Sequence, residues 1–281
     1  MIREIHADEI MKAVEKLCIK ANRELNPDVS AALEAAMKRE PFAPAKEMLS
    51  LLCENAIVAR DEQMPICQDT GMAIVFIEIG QDVHLTGDSL EAAVNEGVRR
   101  GYAKGYLRKS VVGDPIQRVN TNDNTPAVLH LKMIPGDKVK ITVAPKGFGS
   151  ENMSSIAMLM PSDGIEGVKK FVVETVKKAN GNPCPPIIVG VGIGGSFEKA
   201  ALMAKEALGL PIDEHNADPY YAALETELLE KINQLGIGPQ GFGGLCTALG
   251  VRVKTYATHI AGLPVAVNIS CHVTRHAHET I

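Results

Sequence analysis

The segment at residues 65–71, Pro-Ile-Cys-Gln-Asp-Thr-Gly, constrains the chain more than any other stretch. It lies between a long helical pattern and a strand pattern, and it contains a soft metal ligand, an amide, a carboxylate and a hydroxyl. Pro65 cannot donate a backbone hydrogen bond and Gly71 suits a positive-φ turn, so the chain should leave the helix sharply here. We therefore expect Cys67 and Asp69 to lie at the mouth of a strand, where functional sites are commonly built.

The composition describes a globular chain with a sizeable core. Its 281 residues, 46% of them apolar, suffice for one large domain or two modest ones. A net charge of −5, no Trp and 4% aromatic residues leave neither a basic stripe nor stacking platforms for nucleic acid. A small anionic ligand would therefore need locally placed cations.

The sequence favours a cytoplasmic location. Residues 1–6 are charged and lack the apolar core of a signal peptide, and no stretch offers about 18 consecutive apolar residues for a membrane span. Six cysteines without a short disulfide framework fit a reducing compartment. In such a compartment thiols serve as core residues, nucleophiles or metal ligands.

The hydrophobic pattern alternates between helix and strand. Helical spacing fills most of residues 4–60, and a nearly continuous apolar run over Met72–Ile79 indicates a strand covered on both faces. Further helices are predicted at 88–104, 164–180, 196–208 and 218–235, and further strands at 187–191, 251–256 and 265–269. Because no low-complexity linker interrupts them, we predict one α/β domain over 1–281, with a helical N-terminal segment, 1–60, followed by a mixed β-sheet flanked by helices.

Two regions carry additional expectations. Residues 130–134 and 138–143 alternate with period two about Pro135-Gly136-Asp137, which predicts a β-hairpin. The polar stretch 108–125, with three asparagines around Asp123, is expected to be a long irregular loop. Long loops inside compact domains are often functional.

A glycine pattern, Gly190-x-Gly192-x-x-Gly195, matches a dinucleotide-binding fingerprint after a predicted strand. A Rossmann unit also needs a second strand ending in an acid about 20 residues later, and no strand precedes Asp213 and Glu214. Two other interpretations remain, which are tight packing of a strand on a helix and an anion site at the helix start.

The cysteines allow several kinds of site. Cys18 and Cys53 lie on the apolar faces of predicted helices and are interpreted as structural. A nucleophilic Cys67 with His259 as a distant base is disfavoured, because the neighbouring Asp69 raises the pKa of a thiol.

Metal binding is the other possibility. Cys271, His272, His276 and His278 have the short spacing of zinc ligands, although a frayed C-terminal tail fits equally well. Three thiols would leave one iron open on a four-iron cluster, and Cys67, Cys184 and Cys271 each lie beside proline, glycine or a strand end. Their wide separation is unlike ferredoxin spacing, so the spacing alone does not decide.

Seven segments, in chain order, resemble one known family. They are Pro-Ile-Cys67-Gln68-Asp69-Thr70-Gly71, Lys146-Gly-Phe-Gly149-Ser-Glu-Asn-Met153, Cys184-Pro-Pro, Ala204-Lys-Glu-Ala-Leu208, Gly241-Phe-Gly-Gly244, Thr258-His259-x-Ala261-x-x-Pro264 and Cys271-x-x-Thr274-Arg275-His276. Together they resemble the alpha subunit, or N-terminal domain, of class I iron–sulfur fumarate hydratases. The same family includes the L-tartrate dehydratase alpha subunit, and the sequence does not separate the two securely.

The resemblance implies a fold and a cofactor. Residues 1–281 would form the iron–sulfur hydro-lyase catalytic domain of the alpha-subunit type. A 4Fe-4S cluster would be held by Cys67, Cys184 and Cys271, and Cys246 would be structural.

The resemblance also implies roles for five further residues. Asp69 would be catalytic and His259 would position it, while Gln68, Arg108 and Gly149 would bind substrate. Without the resemblance, Asp69 is better interpreted as a helix or turn cap and His259 as a core histidine. Arg108 could be a solvated surface side chain and Gly149 a simple turn, and Lys109 competes with Arg108 for its role.

The implied reaction is the reversible hydration of fumarate to (S)-malate, a step of the tricarboxylic acid cycle, or dehydration of L-tartrate. Single-chain members of the family continue beyond the segment that ends at His276 into a second domain with further substrate-binding cations. We therefore expect a separate beta subunit that completes the active site, and an alpha–alpha contact in a hetero-oligomer. An alternative of another class is a non-catalytic iron–sulfur or zinc-binding sensor module.

Overall fold

The computed structural model describes residues 2–281. The strands are β1 (Arg3–His6), β2 (Met72–Gly80), β3 (Val83–Thr86), β4 (Val128–Ile134), β5 (Val139–Lys146), β6 (Ser155–Leu159), β7 (Ile187–Gly194), β8 (Ala248–Tyr256), β9 (Leu263–Ser270) and β10 (Ala277–Thr280). The helices are α1 (Ala7–Arg23), α2 (Pro27–Arg39), α3 (Ala43–Asp61), α4 (Leu90–Lys104), α5 (Phe148–Glu151), α6 (Gly164–Ala179), α7 (Phe197–Ala207) and α8 (Pro219–Asn233).

The chain folds into two compact units. Unit 1 comprises the described part of Met1–Leu25 together with Ala56–Phe148 and Arg275–Ile281, and unit 2 comprises Asn26–Asn55 and Gly149–Thr274. The predicted fold class is confirmed, because helices lead into mixed parallel and antiparallel sheets. The assignment of 1–281 to one domain stays a prediction.

The sheet of unit 1 has the strand order β10-β5-β2-β4. Its strand β2 is central and largely buried, as its continuous apolar run predicted. On α1, Ile10, Val14 and Leu17 recur on one face and are at most 1% exposed. This face packs closely against α4, because a Cβ on Gly101 would lie 2.8 Å from the Cβ of Cys18.

The predicted hairpin of β4 and β5 is wrong. Strand β2 lies between them, parallel to β4 and antiparallel to β5. A Cβ on Gly80, the last residue of β2, would lie 2.2 Å from the carbonyl oxygen of Gly136 in the β4–β5 connection, so only glycine fits beneath that turn. The Gly80 N–H donates to the Lys138 carbonyl at 2.8 Å. Period-two alternation identified the strands and could not identify their partner.

Four short strands were missed by the sequence analysis: β1, β3, β6 and β10. Strands β1 and β3 pair in parallel, and β10 pairs with β5 so that His278 lies opposite Thr142. The C-terminal tail is therefore an ordered edge strand, and the interpretation of a frayed tail is wrong.

Unit 2 has the strand order β6-β9-β7-β8, with β7 parallel to β8 and antiparallel to β9. Helix α7 packs closely against strand β7 of this sheet. A Cβ on Gly190 or Gly192 would lie 2.1 Å from the carbonyl oxygen of Ala204 or Ala200, respectively. The glycine pattern of β7 therefore serves close helix-on-strand packing, one of the two interpretations left open.

Candidate active site

The loop at 65–71 leaves α3 and enters β2 of unit 1, as predicted. Cys67 and Asp69 are half-buried and Gln68 is exposed. Gly71 has φ +74°, and a Cβ there would lie 2.7 Å from the backbone of Lys146. This turn therefore requires glycine, both for its φ angle and for its close approach to β5.

The carboxylate of Asp69 is fixed by backbone donors. Its Oδ1 accepts the N–H of Gly71 at 3.0 Å, and its Oδ2 accepts the N–H of Phe148 at 2.9 Å. The buried guanidinium of Arg275 donates to the Asp69 carbonyl oxygen. Asp69 therefore acts as a turn cap in this structure, as its local sequence allows, and the cap points its carboxylate in one direction.

Cys67 has two hydrogen bonds with its neighbours in the loop. Its Sγ accepts the backbone N–H of Asp69 at 3.4 Å, and its thiol donates to Oε1 of Gln68 at 3.4 Å. By contrast Cys18 is fully buried, and burial, helped by Glu15, raises the pKa of its thiol to about 12. Because a metal ligand must lose its proton, Cys18 does not suit that role, whereas Cys67 is only half-buried.

Arg108 lies in the long loop that follows α4, and the loop is irregular apart from one bridge between Val112 and Asn120. The Arg108 side chain is exposed. Its carbonyl oxygen accepts the Thr70 hydroxyl at 3.1 Å, which ties this loop to the one that carries Asp69. Sequence analysis found the loop but not this connection.

In unit 2, Cys184 and Cys271 lie at one end of the sheet. Cys184 precedes β7 and Cys271 follows β9, and the two strands pair antiparallel with Ile188 opposite Ser270. The N–H of His272 donates to the Cys184 carbonyl oxygen at 3.4 Å. Cys184 is exposed and has a left-handed backbone, φ +54°, which is uncommon for a residue other than glycine.

Cys246 lies at the same end of this sheet, two residues before β8. Its thiol donates to the Ala248 carbonyl oxygen at 3.6 Å, and burial raises its pKa to about 11. These contacts fit the structural role that the resemblance gave it.

His259 lies at the opposite end of the same sheet, in the exposed turn between β8 and β9. Its Nδ1 accepts the N–H of Ala261 at 3.2 Å. The eight residues of β9 separate it from Cys271, a rise of roughly 26 Å. Unit 2 therefore does not bring His259 together with Cys184 and Cys271.

Gly149 belongs to the short helix α5 and is exposed. A Cβ placed on it would meet nothing within 4 Å, so its backbone is accessible. Five residues after Gly149, Ser154 accepts the side-chain amide of Asn268 at 2.8 Å, and Glu151 accepts the same amide at 2.9 Å. Glu151 also pairs with Lys205 of α7. Asn268 lies three residues before Cys271. Sequence analysis missed this network because no spacing pattern links its members.

The donor chemistry fits an iron–sulfur cofactor. None of the six cysteines is joined in a disulfide. Beside Asp69, the buried Nε of Arg275 has no hydrogen-bond partner within residues 2–281, so a polar N–H is left for a further acceptor. Within the same residues no three His, Cys, Asp or Glu side chains gather closely enough to hold a single metal ion. The tail histidines therefore form no such group; His278 is exposed and the ring of His272 lies 3.0 Å from the Cys184 carbonyl oxygen.

None of the helices within residues 2–281 has both the length and the apolar character that crossing a membrane requires.

Comparison with known proteins gives the class first. Residues 11–280 match a family model described as fumarate hydratase (Fumerase). This chain belongs to that family and is a hydro-lyase subunit.

Several named relatives are similar to this chain over most of its length. A Methanocaldococcus jannaschii protein with the provisional name L(+)-tartrate dehydratase subunit alpha is 43% identical over 279 residues, covering 97% of this chain and 98% of the relative. The L(+)-tartrate dehydratase subunit alpha of Escherichia coli strain K12 is 35% identical over 252 residues, covering 88% of this chain and 82% of the relative. The Shigella sonnei protein of the same name matches to the same extent.

Proposed function

We propose that this chain is the alpha subunit of a two-subunit 4Fe-4S hydro-lyase that interconverts fumarate and (S)-malate. The observation that carries the proposal is the fixed carboxylate of Asp69, two residues from the Cys67 thiol and adjacent to the exposed Gln68. A second candidate substrate is L(+)-tartrate, which the names of the relatives favour. Malate and tartrate differ by one hydroxyl group.

Cys67, Cys184 and Cys271 would hold the cluster. Two observations support this assignment. The Sγ of Cys67 accepts a backbone N–H, and Cys184 is exposed at the end of the unit 2 sheet where β9 leads into Cys271. Each cysteine of a four-iron cluster binds a different iron, so these thiols need not gather as the ligands of one ion do. When bound, the cluster would supply a Lewis acid for the departing hydroxyl group.

The other proposed residues bind and orient the diacid. Arg108 offers a guanidinium fork to a substrate carboxylate, which suits bidentate pairing. Gly149 offers a backbone N–H, and Gln68 and Asp69 contact the hydroxyl group that is lost. The reaction is redox-neutral: one C–O and one neighbouring C–H bond break, and a C=C bond forms. We assign the base that takes the C–H proton to the beta subunit.

His259 would position Asp69 of a second copy of the chain. The proposed cluster binds Cys67, which precedes Asp69 by two residues, together with Cys184 and Cys271. Within unit 2, His259 lies a full strand away from Cys271, roughly 26 Å for the eight residues of β9. An alpha–alpha contact that supplies the histidine from the neighbouring copy resolves this distance.

The partner and location follow from the same proposal. A beta subunit would complete the active site, which agrees with the words "subunit alpha" in the names of the relatives. Six cysteines without a disulfide fit the reducing cytoplasm.

The test is turnover by the alpha–beta complex, with the beta subunit taken from a neighbouring reading frame and both chains purified anaerobically. Comparison of kcat/KM for (S)-malate, fumarate and L(+)-tartrate identifies the substrate. The proposal predicts measurable dehydration of at least one diacid by the complex and poor turnover by the alpha chain alone. Robust turnover by the alpha chain alone would contradict the need for a partner.

A further inference from the structure

The side chain of Asn124 connects two loops of unit 1 from a fully buried position. It is 0% exposed. Its Oδ1 accepts the N–H of Ser110 at 2.7 Å, and its Nδ2 donates to the Gly71 carbonyl oxygen at 3.3 Å. A side-chain amide offers an acceptor and a donor on separate atoms, and this arrangement uses both. Asn124 also has φ +64°, which asparagine tolerates better than most residues.

A second connection joins the same two loops at residue 108, two positions before Ser110. The hydroxyl of Thr70 donates to the Arg108 carbonyl oxygen at 3.1 Å, and Thr70 is 2% exposed. The buried Tyr102 hydroxyl donates to the carbonyl oxygens of Thr70 at 2.8 Å and Gly71 at 3.1 Å. Burial raises the pKa of Tyr102, so the phenol stays protonated and keeps donating.

These bonds fix the loop at Arg108 and two residues after it. Thr70 holds residue 108 and Asn124 holds residue 110, whereas the side chains of 108–110 are exposed. An exposed arginine on an untethered loop would lose much conformational entropy when it binds a ligand. Tethering the backbone lowers that cost in advance.

We infer that Asn124 and Thr70 are positioning residues that hold the backbone of Arg108 in register with Asp69. With this register, Arg108 meets a carboxylate of the diacid while Asp69 meets its hydroxyl group. The inference rests on the proposed function, since it needs Arg108 to bind substrate. Neither residue touches the substrate itself.

Asn124→Gly in the alpha–beta holoenzyme is the first test. Glycine adopts positive φ freely, so this change removes the amide without straining the backbone. We expect KM for the diacid to rise about tenfold while kcat stays within about twofold, because a buried hydrogen bond is lost and binding weakens uniformly. Iron content should equal that of the wild type.

Asn122→Gly is the matched control. Asn122 lies in the same loop and has the same φ of +64°, but it is exposed, so water replaces its side-chain bonds. Its KM should stay within about twofold of the wild type. If Asn124→Gly does not fold, Thr70→Val decides in its place, because it removes the Thr70 hydroxyl with little change of shape, and Thr70→Ser should restore the KM.

Combination with Arg108→Ala separates this inference from the proposed function. If Asn124 acts through Arg108, adding Asn124→Gly to Arg108→Ala should raise KM little further. An unchanged KM in Arg108→Ala alone refutes the proposed role of Arg108, and the inference with it. A raised KM in Arg108→Ala with no change in Asn124→Gly or Thr70→Val refutes the inference only. Loss of iron together with a fall in kcat would show a merely structural role and would also overturn it.

Discussion

The carboxylate of Asp69 accepts the backbone N–H of Phe148 at 2.9 Å, although 79 positions separate the two residues in the chain. Its other oxygen accepts the N–H of Gly71. Asp69 thereby joins the loop before β2 to the loop after β5, two segments of the resemblance that lie far apart in sequence.

Asp69→Asn should strongly reduce turnover. An amide presents only one oxygen, so it cannot accept from both Gly71 and Phe148, and it cannot carry the charge of a carboxylate. We expect kcat of the alpha–beta complex to fall roughly 10²- to 10⁴-fold, the range for loss of a positioned acid–base group. Iron content, measured in parallel, should remain that of the wild type.

Asp114→Asn is the matched control for this change. Asp114 also accepts two backbone N–H groups, from Ile116 at 2.8 Å and Gln117 at 2.6 Å, and these bonds lower the pKa of its carboxyl group. It lies outside the proposed site, so its kcat should stay within about twofold. Equal losses in both variants would mean that Asp69 is only a turn cap.

Two inactive variants should complement each other. If His259 serves Asp69 of a neighbouring copy, co-expression of Asp69→Asn and His259→Asn alpha chains with the beta subunit produces mixed dimers in which one site has both residues intact. Random pairing of a symmetric dimer predicts recovery of about a quarter of wild-type activity. If the two residues act within one chain, the mixture should show no more activity than the single variants.

Asp123 should make stability depend on pH at the acid end. Partial burial opposes its ionisation, but hydrogen bonds from Thr125 and Arg99 outweigh that effect and hold its pKa at about 2. Its charged form is therefore the one that stabilises the fold. This contribution is fully present above about pH 4, the ordinary value for an aspartate, and is lost as the pH falls towards 2.

Urea unfolding of wild type and Asp123→Asn at several pH values measures this contribution. We expect the variant to be less stable at pH 7 by about 1 kcal/mol, because the Arg99 pair is partly exposed and screened by solvent. The difference should shrink between pH 4 and pH 2. A difference that grows on acidification would contradict the assignment.

Leu17→Ala should destabilise unit 1. Leu17 is 1% exposed on the face of α1 that packs into the core. Truncation of such a leucine costs about 2–5 kcal/mol of unfolding free energy. Leu131→Ala is the matched control, since Leu131 is 54% exposed on β4 and should change the free energy by less than about 0.5 kcal/mol. Denaturant midpoints of the two variants provide the comparison.

The sequence allowed prediction of the features that depend on local pattern. The apolar run of β2 and the helical spacing of α1 each encode burial directly, and Gly71 encodes its turn. The pairing of β2 between β4 and β5 depends on a tertiary contact of Gly80 with Gly136, which no local pattern expresses. Short edge strands such as β10 carry too few residues to show a period.

The candidate site likewise has features that local sequence predicts and features that depend on tertiary contacts. Cys67 and Asp69 were identified from their residue types, because a thiol and a carboxylate rarely occur together in a turn without a functional reason. The partners that orient them, such as the N–H of Phe148 and the guanidinium of Arg275, come from distant segments and were visible only as parts of a resemblance. Asn124 was noticed as a polar loop residue, and its buried bonds required the fold.

Iron and acid-labile sulfide in the anaerobically purified alpha–beta complex test the central claim most directly. The ligand variants are Cys67→Ser, Cys184→Ser and Cys271→Ser, and the controls are Cys53→Ser and Cys246→Ser. We predict about four irons and four sulfides per alpha chain in the wild type and both controls, and loss of most of both in each ligand variant. Full iron and sulfide in any ligand variant, or a single zinc in the wild type, would contradict the account.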